Sequence, residues 1–231
     1  MKKFPAYCPL DLDFDCDRMT AEILSTRPGW KPLAPAKRFA RKAAFFEVAP
    51  EEFYARCEYV ETNDDGGFVY QPGEPTWAGC SLTVTPRHEG SSAGSFSLRA
   101  RFDDWHWDSR FDVPYVRSVV ERLPYSQIEI VRVMSIAPGG FGPVHVDSRS
   151  DALWEEQGYA ATTFILSSGG ADMIFQRGTQ RFAADARVFF FKDCYPHGVP
   201  PVTTHRVLLR VTGKVDYDNY VRMLNLGAAI W

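Results

Sequence analysis

The sequence predicts a mainly β protein, an antiparallel sandwich or barrel, and three observations indicate this fold class. First, strand-like runs follow one another in the second half of the chain, at residues 159–166, 171–176, 180–182, 187–191 and 205–212. Second, Gly169-Gly170 and Arg177-Gly178 punctuate them and no long helical pattern intervenes, as is typical of sandwiches and barrels. Third, 231 residues with 45% hydrophobic content suit one large core. We therefore expect a single domain over residues 1–231.

Residues 1–110 are expected to supply an N-terminal arm, flanking helices and outer strands. A short helix is predicted at residues 19–25. A second is predicted at 50–57, where Pro50 and two glutamates occupy the first turn, a position that favours them. The other predicted elements are a turn at 64–67 and alternating strands at 80–85 and 95–102, joined by a Gly/Ser loop.

A dense aromatic and acidic cluster, residues 104–108, closes this half of the chain. It contains Trp105 and Trp107 on either side of His106. Two interpretations stay open: the rings pack against the core, or they form one wall of a substrate pocket.

The β core is expected at residues 111–214, with a C-terminal segment at 215–231. It opens with a predicted helix at 112–121, for which Asp112 is the expected cap. One face of that helix carries apolar side chains at Val116, Val119, Val120 and Leu123.

A strand predicted at residues 127–136 places one cation in an apolar row. Arg132 shares its face with Ile130 and Met134, because alternate residues of a strand project to the same side. A buried guanidinium needs an anionic or acceptor partner. Arg132 therefore either pairs with a core carboxylate or faces the carboxylate of a bound ligand.

Composition argues against several classes of partner. The formal charge of −3 and a pI near 6.0 give no general attraction to nucleic acids or anionic membranes. Five scattered cysteines without paired spacing indicate reduced thiols and a cytoplasmic protein. The first residues lack the apolar run of a signal peptide, and no stretch is long and apolar enough to span a membrane.

A metal site is indicated by three residues of the second half. His145 and Asp147 lie two positions apart, so on a strand they project to one side. His197 lies in a Tyr-Pro-His-Gly loop after an aromatic strand. Two imidazoles and one carboxylate are the ligands of mononuclear non-haem iron. His205 is the rival third ligand, but it is expected to share a packed strand face with Val207.

Arg206 is a candidate for binding a co-substrate beside this metal site. It follows His197 by nine residues, and its planar fork suits the distal carboxylate of a small dicarboxylate that chelates the metal at its other end.

These motifs together resemble the aspartyl/asparaginyl β-hydroxylase-like branch of iron(II)- and 2-oxoglutarate-dependent dioxygenases, a branch that includes bacterial hydroxylases of free amino acids. The resemblance covers residues 112–214. The motifs that carry it are Leu123-Pro124, Arg132-Val133-Met134, Pro138-Gly139, His145-Val146-Asp147, Pro196-His197-Gly198 and Arg206. It implies a double-stranded β-helix (jelly roll, cupin-like).

The resemblance also implies a reaction and a set of site residues. His145, Asp147 and His197 would hold Fe(II), Arg206 would bind the C5 carboxylate of 2-oxoglutarate, and O2 would be consumed. Relatives often carry an arginine near the start of the strand after the first metal motif. This chain has no arginine there, and its residues 159–163 read Tyr-Ala-Ala-Thr-Thr. We therefore expect a different remainder of the co-substrate pocket, with Arg132 and Thr163 as candidates. Candidate substrate contacts are Arg132, Trp105, Trp107 and Arg149, the last in an insertion at residues 149–158 that suggests a lid or a substrate loop.

The expected activity is hydroxylation of a C–H bond in a small molecule, an amino acid or its derivative. Asp147 favours hydroxylation, because halogenating relatives replace that ligand with a small residue; desaturation and cyclisation stay open. Two alternatives remain: hydroxylation of a residue in a peptide or protein, and a non-catalytic cupin-like metal-binding protein. The sequence leaves open whether the protein is a monomer or a homodimer.

Overall fold

The computed structural model describes residues 3–32, 60–62, 68–70, 78–84, 105–145, 158–177, 180–193, 195 and 197–231. The described strands are β1 (Tyr7–Pro9), β2 (Lys31–Pro32), β3 (Val60–Thr62), β4 (Phe68–Tyr70), β5 (Ala78–Ser81), β6 (Thr83–Val84), β7 (His106–Trp107), β8 (Tyr125–Ile136), β9 (Gly142–His145), β10 (Tyr159–Ser168), β11 (Met173–Arg177), β12 (Gln180–Ala184), β13 (Val188–Phe191), β14 (His197–Val199) and β15 (Arg206–Val215). The described helices are α1 (Cys16–Ser25), α2 (Pro114–Val120) and α3 (Tyr217–Met223), followed by a 3-10 turn at Leu226–Ala228.

Strands β8 to β15 form the two sheets of a jelly roll. The larger sheet has the order β13-β10-β15-β8 and is extended by β1 at one edge and by β5 and β2 at the other. The smaller sheet has the order β12-β11-β14-β9. Neighbouring strands in both sheets are antiparallel. The chain alternates between the sheets except at the β11–β12 hairpin, and this path is a double-stranded β-helix. The predicted fold class is confirmed.

Two apolar cores lie on opposite faces of the larger sheet. Strand β15 shows the division, because its residues alternate between the faces. Leu208 packs between the two sheets with Met134, Met173 and Phe189. Its neighbour Leu209 packs on the outer face, where side chains from α1, α2 and α3 cover the sheet. The side chains of this inner core therefore line the interior of the jelly roll.

Helix α2 begins at Pro114, whose missing N–H costs nothing in a first turn. The predicted cap, Asp112, is wrong, since the helix has no side-chain cap of its own. Instead the carboxylate of Glu22, on α1, accepts hydrogen bonds from Tyr115 N at 2.9 Å and Val116 N at 2.7 Å. The predicted apolar face of the helix is buried as expected.

Other sequence predictions fall partly on the described residues. The helix predicted at 19–25 is the second part of α1, which begins at Cys16. The strand predicted at 80–85 is divided between β5 and β6. The helix predicted at 50–57 and the strand predicted at 95–102 lie outside the described residues. No helix in the described ranges combines the length and apolar character needed to cross a membrane.

Candidate functional site

Strands β9 and β14 bring the two predicted histidine positions together. They pair in antiparallel fashion, and the Cα of His145 lies opposite the Cα of His197. A register shift follows immediately between His197 and Val199. The structure describes the backbone of His145, so only its position on the strand is used.

His197 is buried inside the jelly roll. Its side chain is 3% exposed, and its ring meets that of Phe191 edge-on, with centroids 4.9 Å apart. The Nδ1 atom lies 2.9 Å from the Tyr195 carbonyl oxygen. We assign the proton to Nδ1, since a carbonyl oxygen can only accept. The Nε2 atom then carries the lone pair that a metal requires, an arrangement common among histidine ligands.

Two of the three predicted metal ligands lack described side chains. Asp147 and the predicted substrate contact Arg149 lie outside the described residues. Among the side chains that are described, no three of histidine, cysteine, aspartate or glutamate form a group able to hold a metal. The full ligand set therefore stays a prediction.

His205, the rival third ligand, is placed differently from the expectation. It is exposed, and its Nε2 atom lies 2.6 Å from the Ser135 hydroxyl. The prediction that it packs on a strand face is wrong, because β15 begins one residue later, at Arg206.

A cavity of about 40 Å³ adjoins His197 in the jelly-roll interior. Its lining includes Met134, Ile136, Gly142, Thr163, Met173, Phe191, Val199, Leu208 and Arg210. Thr163 is 2% exposed, and its hydroxyl has no hydrogen-bond partner in the structure. A space of this size holds only a few water molecules.

Arg206 does not itself line this cavity, but it is buried on β15 next to two lining residues, Leu208 on its own strand and Ile136 on β8. It is 1% exposed, and its strand partner Ile136 lines the cavity. Its Nη1 atom donates to the carbonyl oxygens of Ser168, at 2.7 Å, and Ala171. The buried Nε atom has no partner, and within the described residues Arg206 forms no ion pair. Burial lowers the pKa of Arg206 to about 10, an effect that the charge of Asp172 opposes.

The turn that holds Arg206 depends on glycine. Gly169 and Gly170 have φ values of +66° and +78°, which side chains rarely adopt. A Cβ atom at Gly169 would also lie 2.8 Å from the Arg206 Cβ and from the Thr204 carbonyl oxygen. The Gly169 carbonyl in turn accepts the backbone N–H groups of Thr203 and Thr204. These hydrogen bonds join the turn to the segment that precedes Arg206.

Arg210 is a further cation of the interior. It lies four residues beyond Arg206 on β15, lines the cavity with Thr163 and His197, and pairs with Asp193 at 2.6 Å. Its guanidinium carbon is 5.0 Å from the centre of the Phe191 ring. The sequence pattern that could identify Arg210 is alternation, which places it on the same strand face as Arg206 and Leu208. Asp193 carried no such signal, because it lies outside any strand.

The two tryptophans contribute to other parts of the molecule. Trp107 packs against the outer core, with the Arg117 guanidinium 5.1 Å from its ring centre. Neither Trp107 nor Trp105 lines the cavity beside His197. For Trp107 this favours the packing interpretation over the pocket wall.

Comparisons with known proteins were made for the whole chain. No protein-family model matches it, and no curated protein does. Among solved structures, it is similar to a prolyl hydroxylase from Trichoplax adhaerens in complex with a hypoxia inducible factor oxygen degradation domain peptide fragment, with 12% identity, TM-score 0.47, and 95% of this chain and 87% of that one covered. It is also similar to a Pseudomonas putida prolyl-4-hydroxylase, with 12% identity, TM-score 0.42, and 91% and 93% covered. A third similar structure is the viral collagen prolyl hydroxylase of Paramecium Bursaria Chlorella virus-1 in a 2OG complex, with 16% identity, TM-score 0.30, and 45% and 68% covered.

Proposed function

We propose that this protein is an Fe(II)- and 2-oxoglutarate-dependent dioxygenase that hydroxylates a C–H bond of a small molecule. The observation that carries the proposal is the pairing of positions 145 and 197 across β9 and β14. It supports two imidazole ligands on adjacent strands, at one end of a buried cavity. Asp147, two residues beyond His145, would complete the facial set of two histidines and one carboxylate.

The donor set fits iron in its chemistry. The Tyr195 carbonyl holds His197 in the tautomer whose Nε2 can bind a metal. Bound Fe(II) would supply the coupling of two oxidations: 2-oxoglutarate and O2 give succinate and CO2, while the substrate C–H becomes C–OH. The apolar lining of the cavity excludes water from that end of the site.

Arg206 would bind the distal carboxylate of 2-oxoglutarate. Two backbone carbonyls use its Nη1 atom, which leaves the Nε edge of the guanidinium for a ligand. Nε is buried without a partner, and a buried cation without an anion is costly. A carboxylate bound along that edge would satisfy both the orphaned donor and the charge.

The finer assignments are part of the proposal. We propose the aspartyl/asparaginyl β-hydroxylase-like branch and an amino acid or its derivative as substrate, with residues 1–231 acting as one domain. The described cysteines Cys8, Cys16 and Cys80 are thiols, which supports a cytoplasmic location.

Iron and 2-oxoglutarate binding test the proposal. Calorimetry under nitrogen is expected to show Fe(II) binding to the wild type, and its loss in His145→Ala and His197→Ala. His205→Ala is the matched control and should bind iron as the wild type does. In air, with ascorbate and 2-oxoglutarate, the wild type should release succinate. Equal succinate release by His145→Ala would overturn the proposal.

Arg206→Gln tests the co-substrate site. The loss of a charge-assisted bidentate contact should weaken 2-oxoglutarate binding about tenfold or more. Arg187→Gln, which removes an exposed arginine, should leave that affinity unchanged. Iron binding without any 2-oxoglutarate affinity in the wild type would instead support a non-catalytic cupin-like metal protein.

A further inference from the structure

A chain of three side-chain contacts leads from Asp193 to the ring of His197. The Asp193 Oδ2 atom lies 2.6 Å from the Arg210 Nη2 atom. The Arg210 guanidinium carbon lies over the Phe191 ring, 5.0 Å from its centre. That ring in turn meets the His197 ring edge-on, with the two centres 4.9 Å apart. The ion pair is thus connected to the predicted metal ligand through one aromatic ring.

The ion pair reaches across the inner face of the larger sheet. Arg210 on β15 lies opposite Thr163 on β10, and Thr163 lies opposite Phe189 on β13. Neighbouring strands are about 4.8 Å apart, so the Arg210 side chain passes over β10 to reach Phe191 and Asp193. An arginine has the length for this span, and its planar group can pack on a ring while it pairs with a carboxylate.

The residues that Arg210 contacts lie in the segment that carries His197. The chain leaves the larger sheet at Phe191 and enters the smaller sheet at His197. Between them, the Tyr195 carbonyl oxygen lies 2.9 Å from the His197 Nδ1 atom. The terminal torsion of a histidine has a broad energy well, so one hydrogen bond leaves the ring plane loosely defined. The edge contact with the Phe191 ring restricts that plane.

We propose that Asp193 and Arg210 are positioning residues for His197. Asp193 holds the Arg210 guanidinium against Phe191, and Phe191 holds the imidazole in the orientation in which Nε2 can bind a metal. This inference rests on the proposed function, in which His197 is a metal ligand. Both residues act through the Phe191 ring, and replacing such outer partners of a histidine ligand typically costs about 10–100-fold in metal affinity.

Cobalt(II) binding tests the inference without turnover. Co(II) binds the same nitrogen and oxygen ligands as Fe(II), and its visible absorption reports the geometry of those ligands. The wild type should bind Co(II), and His197→Ala should lose this binding. Arg210→Met and Asp193→Asn should each weaken Co(II) binding by about tenfold or more and alter the visible spectrum of the bound ion. Arg210→Lys should weaken it less, because it keeps a cation opposite Asp193 but loses the planar group.

Arg110→Met is the matched control. Arg110 also pairs with a buried aspartate, Asp108, and its guanidinium carbon also lies over a phenylalanine ring, that of Phe111, at 5.7 Å. Phe111 belongs to the outer core, on the other face of the larger sheet from His197. Because distant sites act independently, Arg110→Met should change Co(II) affinity by less than about twofold.

A double-variant cycle shows whether Arg210 acts through Phe191. Substitutions of residues in contact are non-additive. Phe191→Leu alone should weaken Co(II) binding, and adding Arg210→Met should weaken it further by no more than about twofold. Circular dichroism and urea denaturation check that each variant folds. If Arg210→Met does not fold, Arg210→Lys replaces it in the same cycle.

The outcomes separate this inference from the function on which it rests. Wild-type Co(II) affinity in folded Arg210→Met overturns the inference and leaves the proposed function intact. Fully additive losses in the cycle also overturn it, since the effect of Arg210 would then arise outside the contact with Phe191. Absence of Co(II) binding in the wild type, or unchanged binding in His197→Ala, overturns the proposed ligand role together with the inference. A loss that occurs in Arg210→Met, is absent in Arg110→Met and disappears in the Phe191→Leu background supports it.

Discussion

At the scale of single residues, Thr162 and Thr163 show how differently two adjacent hydroxyls are used. Both side chains are buried on β10. Thr162 Oγ1 lies 3.0 Å from the Tyr125 hydroxyl and 3.3 Å from that of Tyr220. Thr163 lines the cavity, and within the described part of the chain its Oγ1 atom has no hydrogen-bond partner. The Thr162 hydroxyl therefore takes part in the internal hydrogen bonding of the fold, whereas the Thr163 hydroxyl does not.

Thr163→Val is expected to leave the ligand-free protein as stable as the wild type or more stable by about 1 kcal/mol, because it removes an unsatisfied buried hydroxyl. Thr162→Val is the matched control and should destabilise by about 1 kcal/mol or more, since it removes the contact of the buried Tyr220 hydroxyl and one of the hydrogen bonds of Tyr125, whose hydroxyl keeps the Val211 carbonyl. Urea denaturation followed by tryptophan fluorescence measures both. Equal destabilisation by the two substitutions would contradict this assignment.

The sequence predicted one part of the charged interior and missed another. Alternation predicts that Arg132 shares a strand face with apolar side chains, because that information is local. The partners of Arg206 and Arg210 come from elsewhere in the chain: Asp193 lies between β13 and β14, and the carbonyls that hold Arg206 belong to Ser168, at the end of β10, and to Ala171. Such long-range contacts leave no periodic trace in a sequence.

At the scale of elements, the start of α2 depends on a residue far away in the chain. Local rules predict Asp112 as the cap, but the N–H groups of Tyr115 and Val116 donate to the Glu22 carboxylate instead. The carboxylate also lies at the positive end of the helix dipole, which adds to its stabilising effect.

Glu22→Ala is therefore expected to lower the free energy of unfolding by about 1–2 kcal/mol, as the loss of a capping interaction does. Glu22→Gln should cost less, since its amide oxygen still accepts one of the hydrogen bonds. Glu121→Ala, at the C-terminal end of the same helix, is the control and should have little effect. Chemical denaturation gives all three values, and an equal effect of the two alanine substitutions would refute the capping role.

At the scale of the whole molecule, buried tyrosines link stability to alkaline pH. Burial raises the pKa of Tyr7, Tyr125 and Tyr220 above the ordinary value of 10.0, and it raises the pKa of the Cys8 thiol to about 11. Above these ordinary values the unfolded chain releases protons that the folded protein retains. The unfolded state then binds fewer protons, so the free energy of unfolding falls as pH rises.

We expect stability to begin to fall near pH 9, where Cys8 contributes, and to fall more steeply above about pH 10, where the tyrosines contribute as well, each group by at most about 1.4 kcal/mol per pH unit. The variant Tyr7→Phe/Tyr125→Phe should be less stable at neutral pH, because it loses hydrogen bonds, but should show a shallower slope. Urea denaturation at several pH values measures the slope. An unchanged slope in the double variant would contradict the contribution of these hydroxyls.

The overall architecture was predictable only to the level of a strand-rich domain from periodicity. The double-stranded β-helix was implied by the resemblance of the motifs and not by periodicity, because strand pairing is decided by contacts between distant segments. The same limit explains β1, which pairs with β13 at the edge of the larger sheet, whereas the sequence predicts an N-terminal arm there.

The turn at Gly169 and Gly170 also bears on how the protein can vary. Arg206 is oriented by main-chain carbonyls of Ser168 and Ala171, which every residue type possesses. Substitutions of Ser168 or Ala171 therefore leave these two hydrogen bonds in place, and the orientation of Arg206 does not depend on which side chains occupy those positions. The sensitivity is concentrated instead at Gly169, where any Cβ atom would meet Arg206 and Thr204. In the proposed co-substrate site, the position most sensitive to substitution is therefore Gly169, which would not itself contact the ligand.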